Sequence, residues 1–181
     1  AEKFTRNFNY PPEKAVKTKN DIEKLGIKTY FCSNVCAAYK RDVFDALGGF
    51  IKHTIFNEDM IYAANAVQAG YAVVYQPEAK VYHAHDLSCG EQFHRNFDLG
   101  VSQADHPEIF ASVSSESEGV RLVKMTIAHL KEKKMWMQIP GVIIKSGFKY
   151  AGYRLGRQYK SLPRKLVVKC SAKANREYWN R

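Results

Sequence analysis

Cysteine, proline and long apolar runs are all scarce in these 181 residues, and each scarcity excludes something. The four cysteines, at 32, 36, 89 and 170, are irregularly spaced. None forms the short two-cysteine knuckle of a structural zinc site. Cys32 and Cys36 fall in a stretch, Phe31-Cys-Ser-Asn-Val-Cys36, that reads as a strand. Residues four apart on a strand share a face but lie about 13 Å apart, too far for a disulfide. Buried free thiols in a reducing compartment are the expectation. The most apolar run, Ile139–Ile144, contains Pro140 and Gly141 and stops at Lys145. It is far short of the ~20 residues that span a bilayer. Acidic residues nearly vanish late in the chain. Through residue 120 there are 12 Lys and Arg against 16 Asp and Glu, whereas from 121 onward there are 16 against only Glu132 and Glu177. A mildly acidic first part therefore carries a tail of net charge +14, which points to a polyanionic partner such as nucleic acid or an anionic membrane face.

What is present is the composition of a folded domain: 45% hydrophobic and 25% charged residues, with no internal repeats. The chain opens Ala1-Glu2-Lys3-Phe4, neither an initiator methionine nor a signal peptide, so a processed chain or a piece of a longer one is expected. Residues 1–28 read as an irregular lead-in. The run 28–39 is β-rich. A short helix over 42–47 has Asp42 at its cap and Gly48-Gly49 at its end. A helix over 58–69 follows, with Asn57 at its cap and Gly70 as its stop. Strands are predicted over 71–75 and 79–83. The boxes Ser88-Cys-Gly-Glu91 and Ser115-Glu-Ser-Glu118 each open a helix, and the remainder is helical with breaks at Pro140 and Pro163. Three segments result: the lead-in 1–28, an α/β unit 29–112 and a basic helical extension 113–181.

Three groups of residues could carry chemistry. Glu58 and Asp59 are adjacent carboxylates in the first turn of a helix. They either complement the helix dipole or hold a general base at the helix mouth. In Val81-Tyr-His-Ala-His85, strand alternation puts His83 and His85 on one face about 7 Å apart. That suits one metal ion or an ordinary surface pair, and two histidines do not complete a closed site. The segment Tyr150–Tyr159 repeats tyrosine and arginine at helical spacing. It fits a membrane surface, an RNA backbone or a plain solvated face.

Taken in order, Phe31-Cys-Ser-Asn-Val-Cys-Ala-Ala38, Leu47-Gly-Gly-Phe50, Asn57-Glu-Asp59, Ala69-Gly-Tyr71, Pro77-Glu-Ala79 and Val81-Tyr-His-Ala-His85 resemble the C-terminal half of the catalytic domain of family 2 glycosyltransferases. In that family a Glu-Asp element opens a helix, and a strand ending in histidine follows some two dozen residues later; here Asp59 and His83 are 24 apart. Gly152-Tyr-Arg-Leu-Gly156 and Tyr178-Trp179 further resemble the tails of its bacterial rhamnosyltransferase-like members. The resemblance implies an α/β fold: the C-terminal half of a GT-A-type (Rossmann-like) mixed-sheet domain, followed by basic C-terminal helices. It implies an inverting hexosyltransferase that moves a sugar, rhamnose by the tail resemblance, from a nucleotide-sugar donor to a polysaccharide or lipid-linked acceptor of the cell surface. Asp59 would be the general base and Glu58 its neighbour, tuning it or touching acceptor. His83 would be a ligand to Mg²⁺ or Mn²⁺, with His85 the alternative one pleat on. Asn34 would line the acceptor side.

The resemblance also implies something absent. Family members bind the nucleotide through an N-terminal βαβ half with an acidic pair at a strand end, and neither precedes Tyr30. At ~30 residues per βαβ unit, on the order of 100 residues are expected upstream, and this chain alone is expected to be inactive. Attachment to the inner face of the cell membrane through the basic tail is the expected location. The rival reading is a non-catalytic basic protein that binds an anionic membrane or nucleic acid. Nucleic acid is disfavoured because no recognised module is visible.

Overall fold

The computed structural model describes residues 4, 5, 8, 10–83, 87–111 and 115–180. Most of them are helical. β1 (Ala15–Lys17), α1 (Ile22–Leu25), α2 (Arg41–Ala46), α3 (Glu58–Gln68) and β2 (Val73–Tyr75) come first. They are followed by α4 (Cys89–Asp105), α5 (Pro107–Phe110), α6 (Ser115–Glu132), α7 (Ile139–Arg157) and α8 (Arg164–Cys170). Short 3₁₀ turns join several of these, and a longer one, Lys173–Asn180, closes the described chain.

Among the described residues the sheet is a single antiparallel pair, Ala15 facing Tyr75, Val16 facing Val74 and Lys17 facing Val73. The expected lead-in supplies β1, the partner of the predicted strand at 71–75. The β-rich run 28–39 is no strand: Gly26–Tyr30 is a 3₁₀ turn and residues 31–40 form a loop. β-branched and aromatic residues favour a strand only where a neighbouring strand takes up their backbone groups. Here the loop's polar groups are engaged instead by α3 and by Lys17, as described below. Residues 79–83 are likewise an exposed, non-strand stretch. The thiols are all free, but only Cys170 is buried and Cys36 is exposed, which corrects the expected burial.

Helix stops follow local chemistry. At the end of α3, Gly70 adopts φ 91°, its N–H reaches the Val67 carbonyl and the Tyr71 N–H reaches that of Ala66. This is the Schellman pattern, which needs a left-handed residue just past the helix. Gly48 and Gly49 end α2 in the same way. The Ser88 box forms as predicted: the Ser88 hydroxyl accepts the Glu91 N–H, and the Glu91 carboxylate accepts the Ser88 N–H at 2.8 Å. Pro140 and Pro163 sit at helix starts, where a missing N–H costs nothing.

Two apolar clusters hold these parts. One joins the buried face of α3 (Ile61, Ala64, Val67) to Ile27, Tyr30, Ile109 and Phe110. The other joins α4 (Phe97, Val101) to Ile55, Val167 and Cys170, with Leu155, Tyr159 and Trp179 against them. The longest contact is between α4 and α7, and glycines make it. A Cβ on Gly152 would run into the carbonyl oxygen of Phe93, one on Gly156 into that of Phe97, and one on Gly100 into that of Tyr153. Side chains around the crossing turn inward too. The Tyr153 hydroxyl donates to Gln103 Oε1 at 2.8 Å, and the Tyr159 hydroxyl to Asp105 Oδ1 at 2.6 Å. Arg154 pairs with Glu116 at 3.0 Å. Much of the Tyr150–Tyr159 pattern is thus spent on packing. No helix of the described residues is long and apolar enough to cross a membrane.

Candidate active site at the mouth of helix α3

Glu58 and Asp59 begin α3, and the loop 31–40 lies against them. Asn34 is the link. Its backbone N–H donates to Asp59 Oδ2 at 3.1 Å, and its side-chain amide donates to Glu58 Oε1 at 3.0 Å. The amide oxygen of Asn34 accepts the Tyr39 hydroxyl at 2.6 Å. One asparagine therefore holds both carboxylates while a tyrosine fixes its amide orientation. Burial pushes the Tyr39 phenol upward, reinforced by Cys32, so Tyr39 stays a donor. The Met60 N–H adds a bond to Asp59 Oδ1 at 2.7 Å.

Asp59 is half-buried, and burial raises its pKa. The bonds from Asn34 and Met60 oppose that rise and the charge of Glu58 adds to it. A carboxylate lifted in this way is a better proton acceptor than an ordinary surface aspartate.

The helix mouth is itself pinned from behind. Asn57 has φ 66°, in the left-handed region, and its side chain does not cap the helix as expected. That backbone turn sends the amide away from the helix end, and it donates instead to Ser102 Oγ on α4 at 3.2 Å. Ser102 donates to the Phe56 carbonyl at 2.6 Å, as does Thr54. The chain entering α3 is thus fixed to α4. Asn175, near the end of the chain, reaches the Ile55 carbonyl at 3.4 Å and Asp98 Oδ2 at 2.8 Å. Buried Asp98 also accepts the Ser171 hydroxyl and the Ala172 N–H.

Lys17 anchors the other end of the loop. Its ammonium is buried and donates to the carbonyls of Lys28, at 2.9 Å, and Phe31, at 2.5 Å. Burial pushes it down to about 8 against a smaller upward pull from Cys32. The folded protein then sheds this proton near pH 8, whereas the ordinary lysine value of 10.5 applies when the chain is unfolded. Between those values the unfolded state binds more protons, so stability rises with pH. Comparing denaturant unfolding of the protein and its Lys17→Met variant from neutral pH to 10.5 should show the difference moving in favour of lysine. A pH-independent difference would contradict the assignment.

The structure thus brings Asn34, Glu58 and Asp59 together. His83 lines a broad open cleft of about 2510 Å³, to which Cys32, Ser33 and Tyr39 of the loop also contribute. His85 lies outside the described residues. Among the described residues no three His, Cys, Asp or Glu side chains converge to hold a metal. Mg²⁺ and Mn²⁺ want several oxygen ligands. The described donors do not supply that set. Tyr39, Lys17 and Ser102 are not among the residues the sequence marks. Tyr39 alone had a signal, as the one hydroxyl-bearing aromatic following Asn34 within the same run.

The chain that carries this asparagine-held carboxylate pair is similar over 177 residues, 97% of its length, to two curated rhamnosyltransferases. It is 45% identical to O-antigen chain rhamnosyltransferase WbaN of Salmonella anatum and 46% identical to O-antigen chain rhamnosyltransferase RfbN of Salmonella typhimurium. The chain spans 55% of the length of each. No family model matches it, and no solved structure does.

Proposed function

We propose that the chain is the acceptor-side part of an inverting, GT-A-type family 2 glycosyltransferase that transfers rhamnose from a nucleotide-sugar donor to a growing O-antigen-like glycan. The observation that carries this is the Asn34–Glu58–Asp59 cradle in a chain so similar to two rhamnosyltransferases. The acceptor hydroxyl gives its proton to the Asp59 carboxylate as its oxygen bonds to the anomeric carbon. The bond from that carbon to the donor phosphate breaks, and the nucleoside diphosphate leaves with the electron pair. Attack opposite the leaving group inverts the anomeric centre. Glu58 keeps the site anionic and, through Asn34, keeps Asp59 aimed.

The nucleotide is held mainly by parts of the transferase that this chain does not contain, in keeping with its 55% share of each relative. Any Mg²⁺ or Mn²⁺ would be held there and by the diphosphate, with His83 as this chain's contribution. The basic residues beyond 120 hold the enzyme at the anionic inner face of the cell membrane, beside a lipid-linked acceptor. The test is transfer of labelled rhamnose to a lipid-linked glycan. The complete transferase is expected to perform it with inversion read by NMR, and this chain alone is not. Transfer with retention would overturn the mechanism, and transfer by the isolated chain would overturn the division of labour.

A further inference from the structure

We propose that the corner between α6 and α7 is a membrane-docking tip that inserts apolar side chains into an anionic lipid surface. All eight residues 131–138 are exposed, and they are not the residues of an ordinary polar turn. Met137 is 93% exposed and Trp136 56%, beside Met135, and Ile143, Ile144 and Phe148 of α7 are also out in solvent. Large apolar side chains exposed singly need no explanation, but a run of them on one corner does.

The charge around this corner selects the partner. Lys131, Lys133 and Lys134 precede the apolar residues directly, and Glu132 is one of two acids beyond residue 120. Lys134 also occupies an unusual place. It ends α6 at φ 56°, with its N–H on the Lys131 carbonyl and the Met135 N–H on that of Leu130. That is the Schellman position glycine fills most easily, and here it carries another ammonium to the corner. Lysines beside a Met–Trp–Met tip match an anionic bilayer, with ammonium groups at the phosphates and the apolar groups below them. A phosphate backbone alone would have no use for the apolar tip. The proposal rests on the reading of the enzyme as a peripheral membrane transferase, and it names the surface that meets the lipid.

The sequence supplies a reporter, because Trp136 is one of two tryptophans. The other, Trp179, packs in the α4 cluster. Its ring N–H makes no hydrogen bond among the described residues, so Trp179→Phe forfeits none. In that background, vesicles of phosphatidylcholine with phosphatidylglycerol should blue-shift Trp136 emission and sediment the protein, whereas pure phosphatidylcholine should do so weakly. The paired substitution Trp136→Ser, Met137→Ser, made at exposed positions in the otherwise unaltered protein, should lower vesicle affinity by roughly tenfold or more, with helical circular dichroism unchanged. Lys133→Glu with Lys134→Glu should remove the preference for anionic lipid. Vesicle binding unaffected by these variants would overturn the corner while leaving a peripheral enzyme. Absence of binding to any vesicle would overturn both readings. A Trp136 shift produced by RNA and not by vesicles would overturn the lipid as partner.

Discussion

On the proposed mechanism, replacing Asp59 with asparagine in the complete enzyme is expected to cut sugar transfer by about 10²–10⁴-fold, the usual loss on removing a general base. The amide keeps the side-chain shape and can still accept one of the bonds from Asn34 and Met60, so melting should change little. It cannot take the acceptor proton. The pH profile makes the role specific. Burial holds the Asp59 carboxyl above the ordinary aspartate range, and only the ionised form is a base. The wild-type rate should therefore fall as pH drops through that raised value, and the residual rate of Asp59→Asn should lack this limb. Glu58→Gln should cost less, because Glu58 acts through the Asn34 amide. A fall confined to KM in Asp59→Asn, with kcat and its acid limb intact, would make Asp59 a binding residue and sink the assignment.

Helix stops, and the start at Ser88, were the most legible part of the sequence, since each is set within four or five residues, whereas the side chains of Asp42 and Asn57 do not cap their helices. Gly48, Gly70 and the Ser88–Glu91 box all do what their local chemistry dictates. The strands were least legible. β1 rests on three residues, Ala15–Lys17, whose partner lies almost sixty positions away, and nothing in Ala-Val-Lys announces that pairing. The run 28–39 misled for the converse reason: strand-like side chains took the loop that fits against α3. At the site, the order of short motifs singled out Asn34, Glu58 and Asp59, and the fold joins them by hydrogen bonds. The residues that hold them in place, Tyr39, Lys17 and Ser102, are common types at unremarkable spacings. Their roles arise only when separate segments meet. Gly152-Tyr-Arg-Leu-Gly156 belongs by sequence to a basic, tyrosine-bearing face and to a family-like tail, and its glycines, four apart, are a helix-crossing device.

That crossing carries the largest expected loss of stability. At Gly152 and Gly156 the obstacle to a side chain is the backbone of α4 itself, which cannot rotate aside as a flexible side chain would. Gly152→Val or Gly156→Val must push the two helices apart along their whole contact. Overpacking of this kind costs about 1–3 kcal/mol or more, a fall in melting temperature of roughly 2–12 °C for a chain of this size. Gly147 is the internal control. It lies on the same helix with open space where its Cβ would be, so Gly147→Ala should stabilise by about 0.4–1 kcal/mol through reduced freedom of the unfolded chain. The same crossing bears on the site, because Gly100 lies one turn's fraction from Ser102, which grips the Phe56 carbonyl and the Asn57 amide at the entrance to α3. A Gly156 variant that remains folded should therefore lose kcat as Asp59 shifts, with less effect on donor KM. If Gly152→Val and Gly147→Ala melt alike, α4 and α7 do not cross through these glycines.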